Sequence, residues 1–286
     1  MRLIAIDLDG TLLSSDGKIS AENKRALKKL VRKGYQIAVV TGRAVFDAQA
    51  LMNENGLLAS VIGSNGAVIQ DSSGRIIHAT SIPIRAVQKI LTYLLTENMY
   101  FELTTRNGLL VPTNGETHLN RELDYFIDHK MIVGRRDKLW EKAKTQFRQY
   151  GQIRVSDPVG LLKKDLSIYK LLTFTYDSER LLNTMIAFST SDQVELTSSG
   201  TYVLEFIPHH VNKGTGIEFL AARLGLANKQ IIAIGDNHND IPMFKVAGAK
   251  IAMGNAAPSV KKMSTFVTKR NDENGVAYAL QHLLNI

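Results

Sequence analysis

The sequence predicts an α/β protein: a doubly wound, mainly parallel sheet whose chain is interrupted by an inserted α+β domain. Three observations carry this. Short apolar runs recur toward both ends of the 286 residues, helical patterns lie between several of them, and the middle of the chain switches to hairpin grammar. The length itself fits roughly two domains at about 150 residues each.

The apolar runs are Leu3 to Ile6, Ile37 to Val40, Val61 to Ile62, Ile231 to Ile234, Ile251 to Met253 and Phe266 to Val267. Continuous short runs suit parallel strands buried on both faces. Between the first two, residues 20 to 33 set Ala26, Leu27, Leu30 and Val31 on one helical face, with Ser20 as N-cap and Gly34 as stop. Residues 213 to 224 repeat the pattern with Ile217, Leu220, Ala221 and Leu224. Strands alternating with helices build βαβ units. In the middle, a helical stretch at 84 to 98 leads to Tyr100 to Thr105, Asn107-Gly108 and Leu109 to Thr113, and Asn-Gly between strand-like runs marks a hairpin. Gln193 to Thr197 and Tyr202 to Ile207 flank Ser198-Ser199-Gly200-Thr201 as a second one. Pro83 and Pro208 bracket this segment. The expected domains are therefore a discontinuous core, 1 to 82 with 209 to 286, and an insertion over 83 to 208. No internal repeat is visible.

Composition narrows the function classes. With 44% apolar and 22% charged residues the chain reads as globular, and disordered or collagen-like classes drop out. The absence of cysteine excludes disulfides, thiolate metal sites and a cysteine nucleophile, and suits a reducing compartment. The apolar N-terminal stretch meets Asp7 too early for a signal-peptide core, and no run reaches the roughly 18 apolar residues of a membrane span. A cytoplasmic protein without a membrane partner is expected, as monomer or homodimer. The net charge of +8 would suit nucleic acid. However, the insertion is nearly neutral, and much of the excess is Lys24, Arg25, Lys28, Lys29, Arg32 and Lys33, the solvent half of one core-packed helix. No nucleic-acid partner is expected.

Polar residues collect after the apolar runs, where an open parallel sheet binds its ligand. The first run leads into Asp7-Leu8-Asp9-Gly10-Thr11, the second into Thr41-Gly42-Arg43, the third into Gly63-Ser64-Asn65-Gly66 and the fourth into Gly235-Asp236-Asn237-His238-Asn239-Asp240. Asp7, the Asp9 backbone carbonyl and Asp236 make three hard oxygen ligands suited to Mg²⁺ with room for a phosphate oxygen. Thr41 offers a hydroxyl, Gly42 a backbone N–H and Lys213 a cation, which together position a phosphoryl group. A carboxylate in such a site can attack phosphorus and form an aspartyl-phosphate, while a second, Asp9, serves as acid and base. An inserted domain acting as a lid would exclude water and later readmit it.

These strings, in this order, resemble the haloacid dehalogenase superfamily, and within it the Cof-type phosphatases carrying a C2-type α/β cap between the second and third motifs. Asp7 to Leu13 matches the first motif, Thr41-Gly42-Arg43 the second, Lys213-Gly214 the third and Gly235 to Asp240 the fourth. Ser64 to Ala67 and Met253 to Ala256 match two further turns of the family. The resemblance implies a Rossmann-like core, Asp7 as nucleophile, Asp9 as acid/base, and Mg²⁺ on Asp7, the Asp9 carbonyl and Asp236. It implies phosphate held by Leu8 through its backbone, Thr41, Gly42, Lys213 and Asn239, with Arg43, Asn65 and Asp240 as further site residues. The implied activity is hydrolysis of phosphomonoesters among small phosphorylated metabolites such as sugar phosphates, phosphorylated cofactors or nucleotides.

Rival readings are a phosphomutase using the same intermediate and a phospho-accepting regulatory module, although a receiver needs neither Asp9 nor the insertion. An EF-hand is excluded by Thr11, Leu12 and Lys18 at its fifth, sixth and twelfth positions. No Walker lysine loop and no His-Glu-x-x-His spacing occur, so neither that nucleotide chemistry nor a zinc site is expected. His209, His210 and His238 read as solvated or packing residues, and Trp140, Phe101 and Tyr100 as core.

Overall fold

The computed structural model describes residues 2–161 and 166–284. The first segment runs β1 (Leu3–Asp7), α1 (Ala21–Arg32), β2 (Gln36–Val40), α2 (Val45–Glu54), β3 (Ser60–Gly63), β4 (Val68–Gln70) and β5 (Ile76–Ala79). The middle follows with α3 (Ile84–Thr96), β6 (Tyr100–Thr105), β7 (Leu109–Pro112), α4 (Gly115–Asp128), α5 (Arg136–Phe147), β8 (Gln152–Val155), α6 (Pro158–Leu161), β9 (Ile168–Phe174), α7 (Ser178–Phe188), β10 (Val194–Thr197) and β11 (Val203–Pro208). The last segment has α8 (Lys213–Arg223), β12 (Ile231–Gly235), α9 (Ile241–Val246), β13 (Ala249–Ala252), α10 (Pro258–Met263), β14 (Phe266–Val267) and α11 (Gly275–Leu284). Two compact units result: residues 1–79 with 211–286, and residues 80–210.

In the first unit the described strands form a sheet ordered β14-β13-β12-β1-β2-β3-β4-β5. The six strands from β14 to β3 are parallel, and β4 and β5 add an antiparallel edge. The order reverses at β1, so right-handed crossovers place helices on both faces and open a crevice beyond that strand's carboxyl end. β1, β3 and β2 from Ile37 onward are buried, as continuous apolar runs require. α1 begins where the Ser20 hydroxyl accepts the Asn23 N–H at 3.1 Å. Gly34 follows with φ +83°, the left-handed turn that releases the chain into β2. Of the five basic residues of α1, Lys24 is half-buried and the others are exposed, as is Lys33 just after it. The antiparallel β4–β5 hairpin is an addition to what the apolar runs predict. β4 has only three residues and β5 is largely exposed, so neither carries a buried run.

In the second unit the described strands are ordered β10-β11-β9-β6-β7-β8, antiparallel except for the β7–β8 pair. Side chains alternate between two apolar clusters. Phe101, Leu103, Leu171 and Phe206 pack with Val87, Ile90 and Leu94 of α3. Tyr100, Leu172, Phe174 and Val203 pack with Leu119 and Leu123 of α4 and Trp140 of α5. Tyr100, Phe101 and Trp140 are core residues.

The central strand β9 breaks its apolar run with Lys170, whose ammonium donates to Glu205 at 2.6 Å inside the sheet layer. Nearby Glu102 accepts the Tyr100 hydroxyl at 2.8 Å and the Gln149 amide at 3.2 Å. Burial pushes Glu102 up to about 7, against the Tyr100 hydrogen bond and the Lys170 charge. Its folded value lies above the unfolded one, so between about pH 4.5 and 7 the folded chain holds a proton that the unfolded chain has lost. Stability should therefore fall across that window by up to about 3 kcal/mol. Urea titrations of wild type and Glu102→Gln at several pH values test this. The variant should lose this slope, and an unchanged slope would refute the assignment.

Candidate active site

Because β12, β1, β2 and β3 are parallel and in register, the residues that follow them converge on one edge of the sheet. Asp7 ends β1, Thr41 follows β2, Ser64 follows β3 and Asp236 follows β12. Lys213 arrives from the same unit as the first residue of α8. The Asn212 side chain caps that helix by accepting the Gly214 and Thr215 N–H groups at 2.9 and 3.1 Å.

Lys213 is 1% exposed, and its ammonium bridges Asp7 at 2.5 Å and Asp240 at 2.6 Å. The other oxygen of Asp240 accepts the backbone N–H groups of Asp236 and Asn237 at 2.8 and 3.0 Å. Both oxygens of Asp240 are thus engaged in holding Lys213 and the loop after β12, which makes it an orienting acid. Asp236 accepts the Thr11 hydroxyl at 2.8 Å. Between Asp7 and Asp236 the chain turns at Gly10, where φ is +82° and a Cβ would lie 2.5 Å from the Asp236 carboxylate. Only glycine fits that turn.

Carboxylate oxygens of Asp7, Asp236 and Asp240 lie within 4.8 Å of one another. Burial, then repulsion from Asp240, holds Asp7 well above the usual carboxylate range despite Lys213. The same two causes push Asp236 up to about 6. Burial opposes the Lys213 charge, but Asp240 and Asp7 outweigh it and hold the ammonium firmly protonated. Three acids against one lysine leave an excess of negative charge in a buried pocket. A hard divalent cation is the counter-charge such an oxygen-only set fits.

Asp9 lies on the rim, its side chain 54% exposed, and Arg43 grips both its oxygens at 2.6 and 2.8 Å. Arg43 also reaches Asp47 at 3.1 Å, and its N–H donates to the buried Thr41 hydroxyl at 3.1 Å. Leu8 is fully buried and its carbonyl accepts the Leu13 N–H, closing the turn over Asp9 and Gly10. Gly42 sits half-buried between Thr41 and Arg43. Asn65, in a left-handed backbone, donates its N–H to the Thr41 carbonyl and accepts the Asn239 amide at 3.4 Å. Asp7, Leu8, Asp9, Thr41, Gly42, Arg43, Asn65, Lys213, Asp236, Asn239 and Asp240, the candidate site residues from the sequence, thus all lie in the first unit. Two contacts come from residues given no site role in the sequence analysis: Thr11 on Asp236, and Asn255, whose amide donates to the Gly10 carbonyl at 2.8 Å. The family-like turn at Met253 to Ala256 was the signal for Asn255.

Residues 4–280 match the haloacid dehalogenase-like hydrolase family. The chain is 41% identical over 285 residues to the 5-amino-6-(5-phospho-D-ribitylamino)uracil phosphatase YwtE of Bacillus subtilis, covering 100% of this chain and 99% of that one. It is 36% identical over 286 residues to phosphatase YwpJ of the same organism, covering 99% and 100%. Among solved structures, a haloacid dehalogenase-like hydrolase from B. subtilis superposes with a TM-score of 0.87 at 35% identity, over 99% of this chain and 100% of that one. A second, from Bacteroides thetaiotaomicron, gives 0.81 at 25% identity over 99% of each. Shared over nearly the whole length in both sequence and backbone, this similarity establishes that the chain belongs to the haloacid dehalogenase-like hydrolases, as a phosphatase of the Cof type.

Proposed function

We propose that the protein hydrolyses a phosphomonoester through an aspartyl-phosphate on Asp7, with Mg²⁺ as cofactor. The single observation that carries this reading is the cluster of Asp7, Asp236 and Asp240 around one buried lysine. Asp7, Asp236 and the Asp9 carbonyl are the residues that would hold Mg²⁺. When bound, the ion supplies positive charge that keeps Asp7 ionised and neutralises a phosphate oxygen.

An Asp7 oxygen attacks phosphorus, the bond to the ester oxygen breaks, and Asp9 gives that oxygen its proton. Asp9 must leave Arg43 to do so, because the guanidinium occupies both of its oxygens. Water then attacks phosphorus, its proton passes to Asp9, and the bond to Asp7 breaks. Lys213 and the Thr41 hydroxyl, with N–H groups of Leu8 and Gly42 and the Asn239 amide, hold the transferring group.

The substrate is a small phosphorylated metabolite, and 5-amino-6-(5-phospho-D-ribitylamino)uracil is the first candidate, supported by the full-length relative of that name. A phosphate-release assay over this compound, sugar phosphates and nucleotides tests both levels. The candidate should give the highest kcat/KM. Preference for another metabolite by about 10-fold or more, roughly 1.4 kcal/mol in transition-state binding, would replace the substrate and leave the chemistry standing. Excess EDTA should stop turnover and Mg²⁺ should restore it. Undiminished rates under chelation would remove the metal.

A further inference from the structure

The end of β11 carries a second cluster of potential metal ligands, wholly within residues 80–210. β10 and β11 pair with Glu195 opposite Ile207, and the His209 N–H continues the ladder to the Gln193 carbonyl. In an extended strand the side chains of His209 and His210 would point to opposite faces. They do not, because His210 adopts φ +61°, an uncommon backbone for a non-glycine residue. The two rings consequently lie side by side, with centroids 3.7 Å apart and planes tilted by 47°. Glu195 from the neighbouring strand brings a carboxylate oxygen to 3.3 Å from the His209 Nδ1. That nitrogen is shielded from solvent yet makes no hydrogen bond of acceptable geometry among the described residues. One donor atom from each of the three side chains lies within 4.8 Å of the others.

We infer that Glu195, His209 and His210 bind a divalent transition metal, with Zn²⁺ as the ion their donors suit. Two imidazoles and one carboxylate are a common zinc donor set, whereas Mg²⁺ and Ca²⁺ take oxygen ligands. Zinc bonds of about 2.0–2.2 Å require the three donors to draw together by roughly an ångström. Glu195 and His209 keep 46% and 35% of their side-chain surface and His210 is exposed, which leaves the three side chains room to move and the ion a path from solvent. The pattern lies outside the short zinc motifs because the carboxylate comes from across a hairpin. This site is independent of the carboxylate pocket at Asp7, which offers only oxygen.

The test is titration of the full-length protein with Co²⁺ and Zn²⁺ in excess Mg²⁺, followed by the visible absorption of Co²⁺ and by calorimetry. Wild type should bind one Co²⁺ with the intense bands of a four- or five-coordinate nitrogen-containing site, and Zn²⁺ should displace it. Outer-sphere partners alone change metal affinity by about 10- to 100-fold, so removing both imidazoles in His209→Ala/His210→Ala should cost about 100-fold or more. Glu195→Gln should also weaken binding, and phosphate release in Mg²⁺ should be unchanged in both variants, which shows that they fold. Absence of Co²⁺ bands in wild type would overturn the inference. So would bands that survive in the histidine variant, or that vanish in Asp236→Asn while persisting there.

Discussion

Asp7→Asn should lower phosphate release by about 10⁴-fold or more, the scale seen when a covalent nucleophile is removed. The amide keeps the shape of the carboxylate at the end of β1, and Lys213 still has Asp240 at 2.6 Å. Removing one of three crowded acids also relieves repulsion that burial makes costly. The variant should therefore fold with a melting temperature near that of wild type and still bind phosphorylated ligands in Mg²⁺. Phosphate release, thermal melting and ligand titration on one preparation check the three parts together. Retained turnover in a folded variant would remove Asp7 as nucleophile.

The second large effect is at Lys213. Replacing it with methionine keeps much of the buried volume but leaves Asp7 and Asp240 without their shared cation. Breaking a buried pair on one side costs about 3–5 kcal/mol, because a charge stays behind in a place where water cannot reach it. Partial protonation of the raised Asp7 and Asp236 limits the loss, so about 3 kcal/mol is expected in denaturant titrations without divalent cation. Mg²⁺ should recover more stability in the variant than in wild type, since it supplies charge to the same carboxylates. Turnover should fall by about 10³-fold, the scale of losing a fixed charge on the transferring group. An unchanged melting temperature and unchanged Mg²⁺ response would contradict the picture of Lys213 as the neutralising centre.

The contrast between these two residues shows what the sequence can carry. Asp7 is legible because a buried parallel strand is a continuous apolar run, and an acid at its end stands out. Asp236 is legible for the same reason after Ile231 to Ile234. Lys213 is one lysine among many, and nothing local says that it is buried. Its position becomes readable only from the order of the motifs, and its burial only from a helix that starts at the Asn212 cap. Arg43 on Asp9, Thr11 on Asp236 and Asn255 on Gly10 join residues 34, 225 and 245 positions apart, so no periodicity announces them. β9 escaped because Lys170 breaks a run that is buried throughout, its charge met by Glu205 from a neighbouring strand. The Glu195, His209 and His210 cluster escaped for a related reason. Its carboxylate crosses a hairpin, and one left-handed residue turns two adjacent rings to the same side.

Passage of the phosphoryl group through Asp7 is the step on which the proposed chemistry rests. It is tested most directly by acid-quenching the enzyme during turnover, reducing acyl phosphates with borohydride and mapping the peptides by mass spectrometry. An aspartyl-phosphate is reduced to homoserine, and homoserine is expected at position 7. Homoserine at any other carboxylate, with Asp7 unmodified, would contradict it.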